Sequence, residues 1–308
     1  MADREDAAGR RISPTPGQVR QVAPGLRQVL APNPSPMTLH GTNTWILGTG
    51  RVAVIDPGPA LPAHLSAIMA ALAPGEVVSH ILVTHAHLDH ASLARPLAEA
   101  TGAPVLAFGD ALAGRSPAMQ QLAAAGGGGG GEGVAAGFAP DEMLADGAEI
   151  AGEGWTLTAL HTPGHFGNHL SFAWGERLFT GDQVMGWATS LISPPDGDVA
   201  QYLASLERLA AVGARVAHAG HGPDIADPAA RIAELGAHRR QREAEVLEAL
   251  AEAPGDAAGL AARIYTDTPP ALLGAAARNV LAHLVDLTGR GIVAPRGPLT
   301  AAAVFERV

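Results

Sequence analysis

The segment THAHLDHA (84–91) sets His85, His87, Asp89 and His90 within six positions. Crowded imidazoles and carboxylates compete for protons and water, but each offers a lone pair to a metal ion. The preceding run HILV (80–83) reads as a buried strand, and SLARPLAEAT (92–101) reads as a helix. His85 and His87, two positions apart, can point the same way at a strand end, while Asp89 and His90 open the next turn. Two imidazoles ahead of a carboxylate–imidazole pair suit two adjacent ions better than one. A catalytic zinc takes about three protein ligands and a water, so two ions need further ligands downstream.

Three later stretches at predicted strand ends supply candidates. HTPGHFGNH (161–169) offers His161, His165 and His169; LFTGDQV (178–184) offers Asp182; AHAGHGP (217–223) offers His218 and His221. The elements that must position them alternate. LRQVLAP (26–32), NTWILG (43–48) and VAVIDPG (52–58) read as strands, PAHLSAIMAALAP (62–74) as a helix and PVLAF (104–108) as a strand. That order points to an α/β layered domain. WTLTALHTPG, HLSFAWG and RLFTGD (155–182) add a second set of strands, and VAQYLASLERLAAVG (199–213) an amphipathic helix.

From residue 228 the character changes to a long helix, two shorter ones and a short strand pair, the pattern of a winged helix. The expected divisions are a loose arm (1–20), a catalytic domain (21–227) and a winged-helix-like domain (228–308). The six glycines 126–131 cannot hold one conformation cheaply and read as a mobile surface loop.

Composition removes several chemistries. The chain has 308 residues, no cysteine and a formal net charge of −10; all 20 of its basic residues are arginine. Disulfides, thiolate zinc sites, cysteine nucleophiles, P-loop lysines and Schiff bases are thereby excluded. The opening MADREDAAGRR lacks an apolar core segment, and no apolar stretch is long enough to span a bilayer. The expectation is a cytoplasmic protein without a membrane partner.

HAHLDH, HTPGH, FTGD and GHGP, in this order, resemble the metallo-β-lactamase-like hydrolase superfamily over most of residues 25–225. The resemblance implies a four-layer αββα sandwich of class α/β with a binuclear site. It assigns one ion to His85, His87 and His165, the other to Asp89, His90 and His221, and makes Asp182 the bridge. It leaves His161 a supporting or structural role and His169 a supporting or substrate-facing one, and it passes over His218. Two Zn²⁺ are the implied cofactors, and Fe or Mn also suit such ligands. The implied mechanism is attack by a bridging hydroxide on an ester-, thioester- or lactam-like carbonyl of a small molecule, with Asp89 orienting it or shuttling a proton. Flavodiiron proteins share the fold, but nothing here resembles their flavodoxin partner.

The C-terminal module, GTNTWILG (41–48) and SPPDGDVAQYLASLERL (193–209) resemble the branch that includes β-lactamase-like protein 2, whose members are linked to thioester hydrolysis or RNA cleavage. The alternatives are thus a metal-dependent endoribonuclease or phosphodiesterase and a winged-helix nucleic-acid-binding regulator. Nucleic acid is disfavoured: residues 230–308 carry nine arginines against nine acidic residues. The basic run HRRQRE (238–243) reads as a solvated helix face with i,i+4 pairs such as Arg239–Glu243. The module is expected to border the active site as a lid or to form a homodimer surface.

Overall fold

Four strands open the chain in antiparallel succession: β1 (Val19–Ala23), β2 (Leu26–Leu30), β3 (Asn43–Leu47) and β4 (Arg51–Ile55). The computed structural model describes residues 15–126 and 133–308. Residues 1–14 of the expected arm and 127–131 of the glycine run lie outside them. β1 begins inside the segment read as a loose arm. Its VRQVA is half polar and pairs only with β2, so this edge strand carries a weak pattern.

Beyond β4 the pairing turns parallel, through α1 (Pro62–Ala70), β5 (Val77–Leu82), α2 (Leu88–Ala91), α3 (Ala94–Thr101), β6 (Val105–Ala107), α4 (Pro117–Ala124) and β7 (Glu142–Met143). Parallel neighbours need crossovers, and helices supply them. Alternation sorts the side chains of β4. Val52 and Val54 join Ile68 of α1 and Leu97 of α3, while Ala53 and Ile55 face the opposite way.

The second sheet runs β12-β11-β10-β9-β8. It is built from β8 (Glu149–Gly152), β9 (Trp155–His161), β10 (Leu170–Trp174), β11 (Arg177–Gly181) and, after α5 (Val199–Ala211), β12 (Val216–Ala219). Trp45, Leu47, Ile55 and Leu82 of the first sheet meet Leu157, Leu170, Phe172 and Phe179 of the second. On the far face, Leu178 and Ala217 pack against Tyr202 and Leu206 of α5 and Ile232 and Leu235 of α6 (Pro228–Glu252). The layers are helix, sheet, sheet, helix, the expected sandwich.

The chain continues with α7 (Ala257–Ile264), a 3-10 turn (Pro270–Leu272), α8 (Leu273–Gly289), β13 (Val293–Pro295) and β14 (Phe305–Arg307). The last two pair antiparallel as a wing, completing the expected winged helix. Its core of Val246, Leu260, Val280, Leu284 and Phe305 also takes in Met119 and Leu122 of α4. Each such fully buried side chain contributes about 1.5–3 kcal/mol of burial.

Asp227 caps α6 by accepting from the Ala230 amide, and Asp198 caps α5 through the amides of Ala200 and Gln201. The reading of Arg239 as part of a solvated face is corrected. It is 2% exposed, because mid-α6 lies against α5 and α8, and Glu243 pairs instead with Arg290. Among the described residues, no helix is long and apolar enough to cross a membrane.

Candidate metal centre

Every strand-end motif arrives at the same end of the sandwich. Thr84 to Ala86 extend β5, His87 caps the four-residue α2, and that single turn carries Asp89 and His90. His165 lies in the loop after β9, Asp182 follows β11, and His221 follows β12. Backbone pairs hold these loops: Leu88 N–H donates to Gly133 O at 2.7 Å, Ala135 N–H to Ala86 O at 2.8 Å, and Asn43 N–H to Gly220 O at 2.7 Å. The Asn43 side chain also donates to the carbonyls of Ala219 and Gly222. The GTN segment therefore clamps the loop that carries His221.

The structure brings the seven expected residues together in two groups that share Asp182. His85 Nε2 lies 2.8 Å from His87 Nδ1, which lies 3.0 Å from His165 Nε2. In the other group His90 Nε2 and His221 Nε2 are 3.2 Å apart, and Asp89 Oδ2 is 3.2 Å from His221 Nε2. Asp182 stands between them, Oδ1 at 3.5 Å from His90 and Oδ2 at 3.8 Å from His165 and 3.4 Å from His221. Asp89 and His87 are half-buried and the other five are buried. Within each of the sets His85–His87–His165, His85–His90–Asp182 and Asp89–His90–His221, the donor atoms lie within 4.8 Å of one another.

An outer ring of acceptors fixes which nitrogen faces inward. Asp56, at φ +51°, accepts from the Thr84 amide (2.8 Å), the Thr84 hydroxyl (2.8 Å) and His90 Nδ1 (2.9 Å). Its proton committed to Asp56, the Thr84 hydroxyl accepts from His85 Nδ1 at 3.0 Å. His165 Nδ1 donates to Leu191 O at 2.6 Å and His221 Nδ1 to Gly41 O at 3.1 Å. Each of these four rings thus turns its Nε2 toward the cluster.

Electrostatics divides the site. Burial, reinforced by the neighbouring imidazoles, holds His85 well below the ordinary imidazole range. Burial, with help from His165, lowers His87 to about 3. In the other half burial also opposes charge on His90 and His221, but the carboxylates prevail. Asp89, Asp182 and Asp56 raise His90, and Asp182 and Asp89 lift His221 to about 9. Burial favours a neutral Asp182, yet His221 and His90 hold it well below the carboxylate range. One half offers neutral imidazoles and the other demands positive charge. Asp182 Oδ1 is buried without a hydrogen-bond partner. Such a donor set fits divalent cations.

His161, His169 and His218 lie outside the donor set. His161 stacks on Phe108 at 3.6 Å, and its Nε2 donates to Gly167 O. His169 is fully buried, stacks on His85 at 5.1 Å and accepts from the Asp182 amide at 3.3 Å, so it packs against the donor set. His218 bonds Asp224 and Arg177. Sequence reasoning missed Asp56, whose signal was a carboxylate between an apolar strand and Pro-Gly in VAVIDPG. It also missed Gly220, where an added Cβ would fall 2.6 Å from both Asp182 Oδ1 and His90 Cε1.

Residues 37–221 match the family description "Metallo-beta-lactamase superfamily", and residues 257–297 match "Beta-lactamase associated winged helix domain". The chain is 30% identical over 282 residues to the Beta-lactamase-like protein 2 homolog of Drosophila melanogaster, spanning 89% of this chain and 91% of that one. It is 32% identical over 242 residues to the Atrochrysone carboxyl ACP thioesterase of Aspergillus terreus, spanning 77% and 67%. The crystal structure of a metallo-beta-lactamase family protein from Thermus thermophilus superposes with a TM-score of 0.75 at 28% identity, covering 93% of this chain and 99% of that one.

Proposed function

This chain belongs to the metallo-beta-lactamase superfamily, and from that premise we propose that it is a binuclear metal-dependent hydrolase acting on a carbonyl of a small molecule, with thioesters the preferred class among ester-, thioester- and lactam-like substrates. The observation that carries the reading is the convergence of seven donor side chains with Asp182 between two groups. His85, His87 and His165 would hold one ion, and Asp89, His90 and His221 the other, with Asp182 shared. Zn²⁺ suits these nitrogen and carboxylate donors. Two bound ions would acidify a water and polarise the scissile carbonyl.

The protein's own part is orientation and proton handling. The acceptors on Asp56, Thr84, Leu191 and Gly41 keep the ring protons outward. Asp89 is half-exposed, with Oδ2 reaching His221, and would orient the attacking water or shuttle a proton from it to the leaving group. No serine or cysteine nucleophile is invoked. The thioester preference draws on the relative named as an acyl carrier thioesterase. Phosphodiester cleavage has less support, because Arg239 is buried and Arg242 is paired with Glu245.

Metal analysis followed by hydrolysis of thioester, lactone, β-lactam and phosphodiester panels tests the reading. Two ions per chain and thioester turnover that a chelator abolishes and Zn²⁺ restores are expected. Turnover that survives metal removal would overturn it.

A further inference from the structure

Residues 183–198 form a long irregular loop between Asp182 and α5. Two of its groups bear on the cluster. Leu191 O accepts the His165 Nδ1 proton at 2.6 Å, and the Ser190 hydroxyl donates to Asp182 O at 2.6 Å. The C-terminal helices hold this loop. From α6, Arg231 donates to Met185 O at 2.8 Å and Ala188 O at 2.7 Å, and Arg239 donates to Ser190 O. From α8, Asn279 Oδ1 accepts both Arg239 Nη1 and the Ile192 amide, each at 3.1 Å. Arg239 and Asn279 therefore grip the backbone on either side of Leu191.

Arg239 has no ion-pair partner among the described residues, and its guanidinium sits 5.3 Å from the Tyr202 ring centroid. Burying a guanidinium without a carboxylate is costly. A solvated or purely packing role would not require it.

Resting on the metal-site reading above, we propose that Arg239 and Asn279 are positioning residues for the metal centre. They act through the 190–192 backbone to keep Leu191 O under His165 and its Nε2 turned toward His87 and Asp182. The winged helix is then a brace for the site. When the grip is released, Leu191 O drifts and the His165 ring loses its fixed tautomer and angle. Loss of an outer partner of a ligand histidine typically weakens metal affinity by about 10–100-fold, and the lower end is expected for an effect relayed through backbone.

The test uses the full chain, with Zn²⁺ and Co²⁺ alone as probes. Arg239→Met and Asn279→Ala are titrated with Zn²⁺ against a chromophoric chelator, and the Co²⁺ forms are examined by ligand-field absorption. Both variants should bind one of two ions about tenfold more weakly with an altered Co²⁺ spectrum, and Arg239→Lys should recover part of the loss. Arg242→Met serves as control, since Arg242 bonds Glu245 and covers Tyr265; it should match the parent. Asn279→Ala decides the matter if Arg239→Met fails to fold. Folded variants with parental affinities and spectra would overturn the inference, as would an equal loss in Arg242→Met. A parent chain that binds no divalent ion would instead overturn the underlying metal-site reading.

Discussion

Replacing Asp56 by asparagine removes a charge and swaps one acceptor for a donor without altering any residue of the donor set. The carboxylate accepts three hydrogen bonds, from the Thr84 amide, the Thr84 hydroxyl and His90 Nδ1. An amide can satisfy only one side. With its oxygen toward the Thr84 amide, its NH₂ faces His90 Nδ1–H. Relief then requires His90 to move its proton to Nε2, the atom that faces His221 and Asp182. Flipped, the NH₂ faces a backbone N–H that cannot give up its proton. Either way a hydrogen bond to a charged group, worth about 1.5–3 kcal/mol, is lost. At about 1.4 kcal/mol per tenfold, affinity for the ion at His90 should fall roughly 10–100-fold. Zn²⁺ titration against a chelator, with thioester turnover in parallel, should show one weakened ion and one near parental. Two ions held at parental affinity by a folded Asp56→Asn protein would refute the tautomer argument.

Asp182→Ala should lose both ions and more turnover than His221→Ala, which should lose one; equal metal content in the two variants would count against a shared Asp182. Gly220→Ala keeps every donor but crowds Asp182 and His90, so turnover should fall at least about tenfold; parental kinetics would show that the loop yields. Replacing the glycine run 126–131 by a shorter Gly-Ser linker should change metal content and turnover by less than about twofold. Ala135→Pro, which removes the donor to Ala86 O beside His87, should weaken metal binding; chelator titration of both variants checks this. His64 is buried and lowered to about 4, below the ordinary 6.5, so the unfolded chain takes up its proton first. Stability should be full above pH 6.5 and decline toward pH 4, by up to roughly 3 kcal/mol. Urea unfolding of His64→Gln should show a flatter acid limb than the parent.

The side chains that converge could be picked out beforehand because their types are unusual at strand ends and recur in separate motifs. Their supports could not. Leu191 and Gly41 act through carbonyl oxygens, which every residue possesses, so nothing in their identity marks them. Asp56 was visible as a carboxylate, but its three donors come from residues 28 and 34 positions away. Arg239 was misread for a related reason. Spacing within α6 named Glu243 as its partner, while long-range packing sends it to Ser190 and Asn279. β1 escaped as an edge strand whose exposed positions are Val19 and Gln21 while Arg20 is half-buried, so no apolar–polar alternation marks it. Local pattern reports the elements and the donors; it is silent on contacts made through backbone or across distant segments.

The burial of Met119 and Leu122 among α6, α7, α8 and β14 has a consequence for how the chain is made. α4 leaves the ribosome more than a hundred residues ahead of its apolar partners, the first of which is Val246. At roughly 5–20 residues per second, its greasy face waits on the order of ten seconds for cover. Through that interval the nascent protein offers a sticky surface that holdase chaperones could occupy. Slow synthesis across the stretch before Val246 should therefore raise aggregation, even though the finished fold is unchanged.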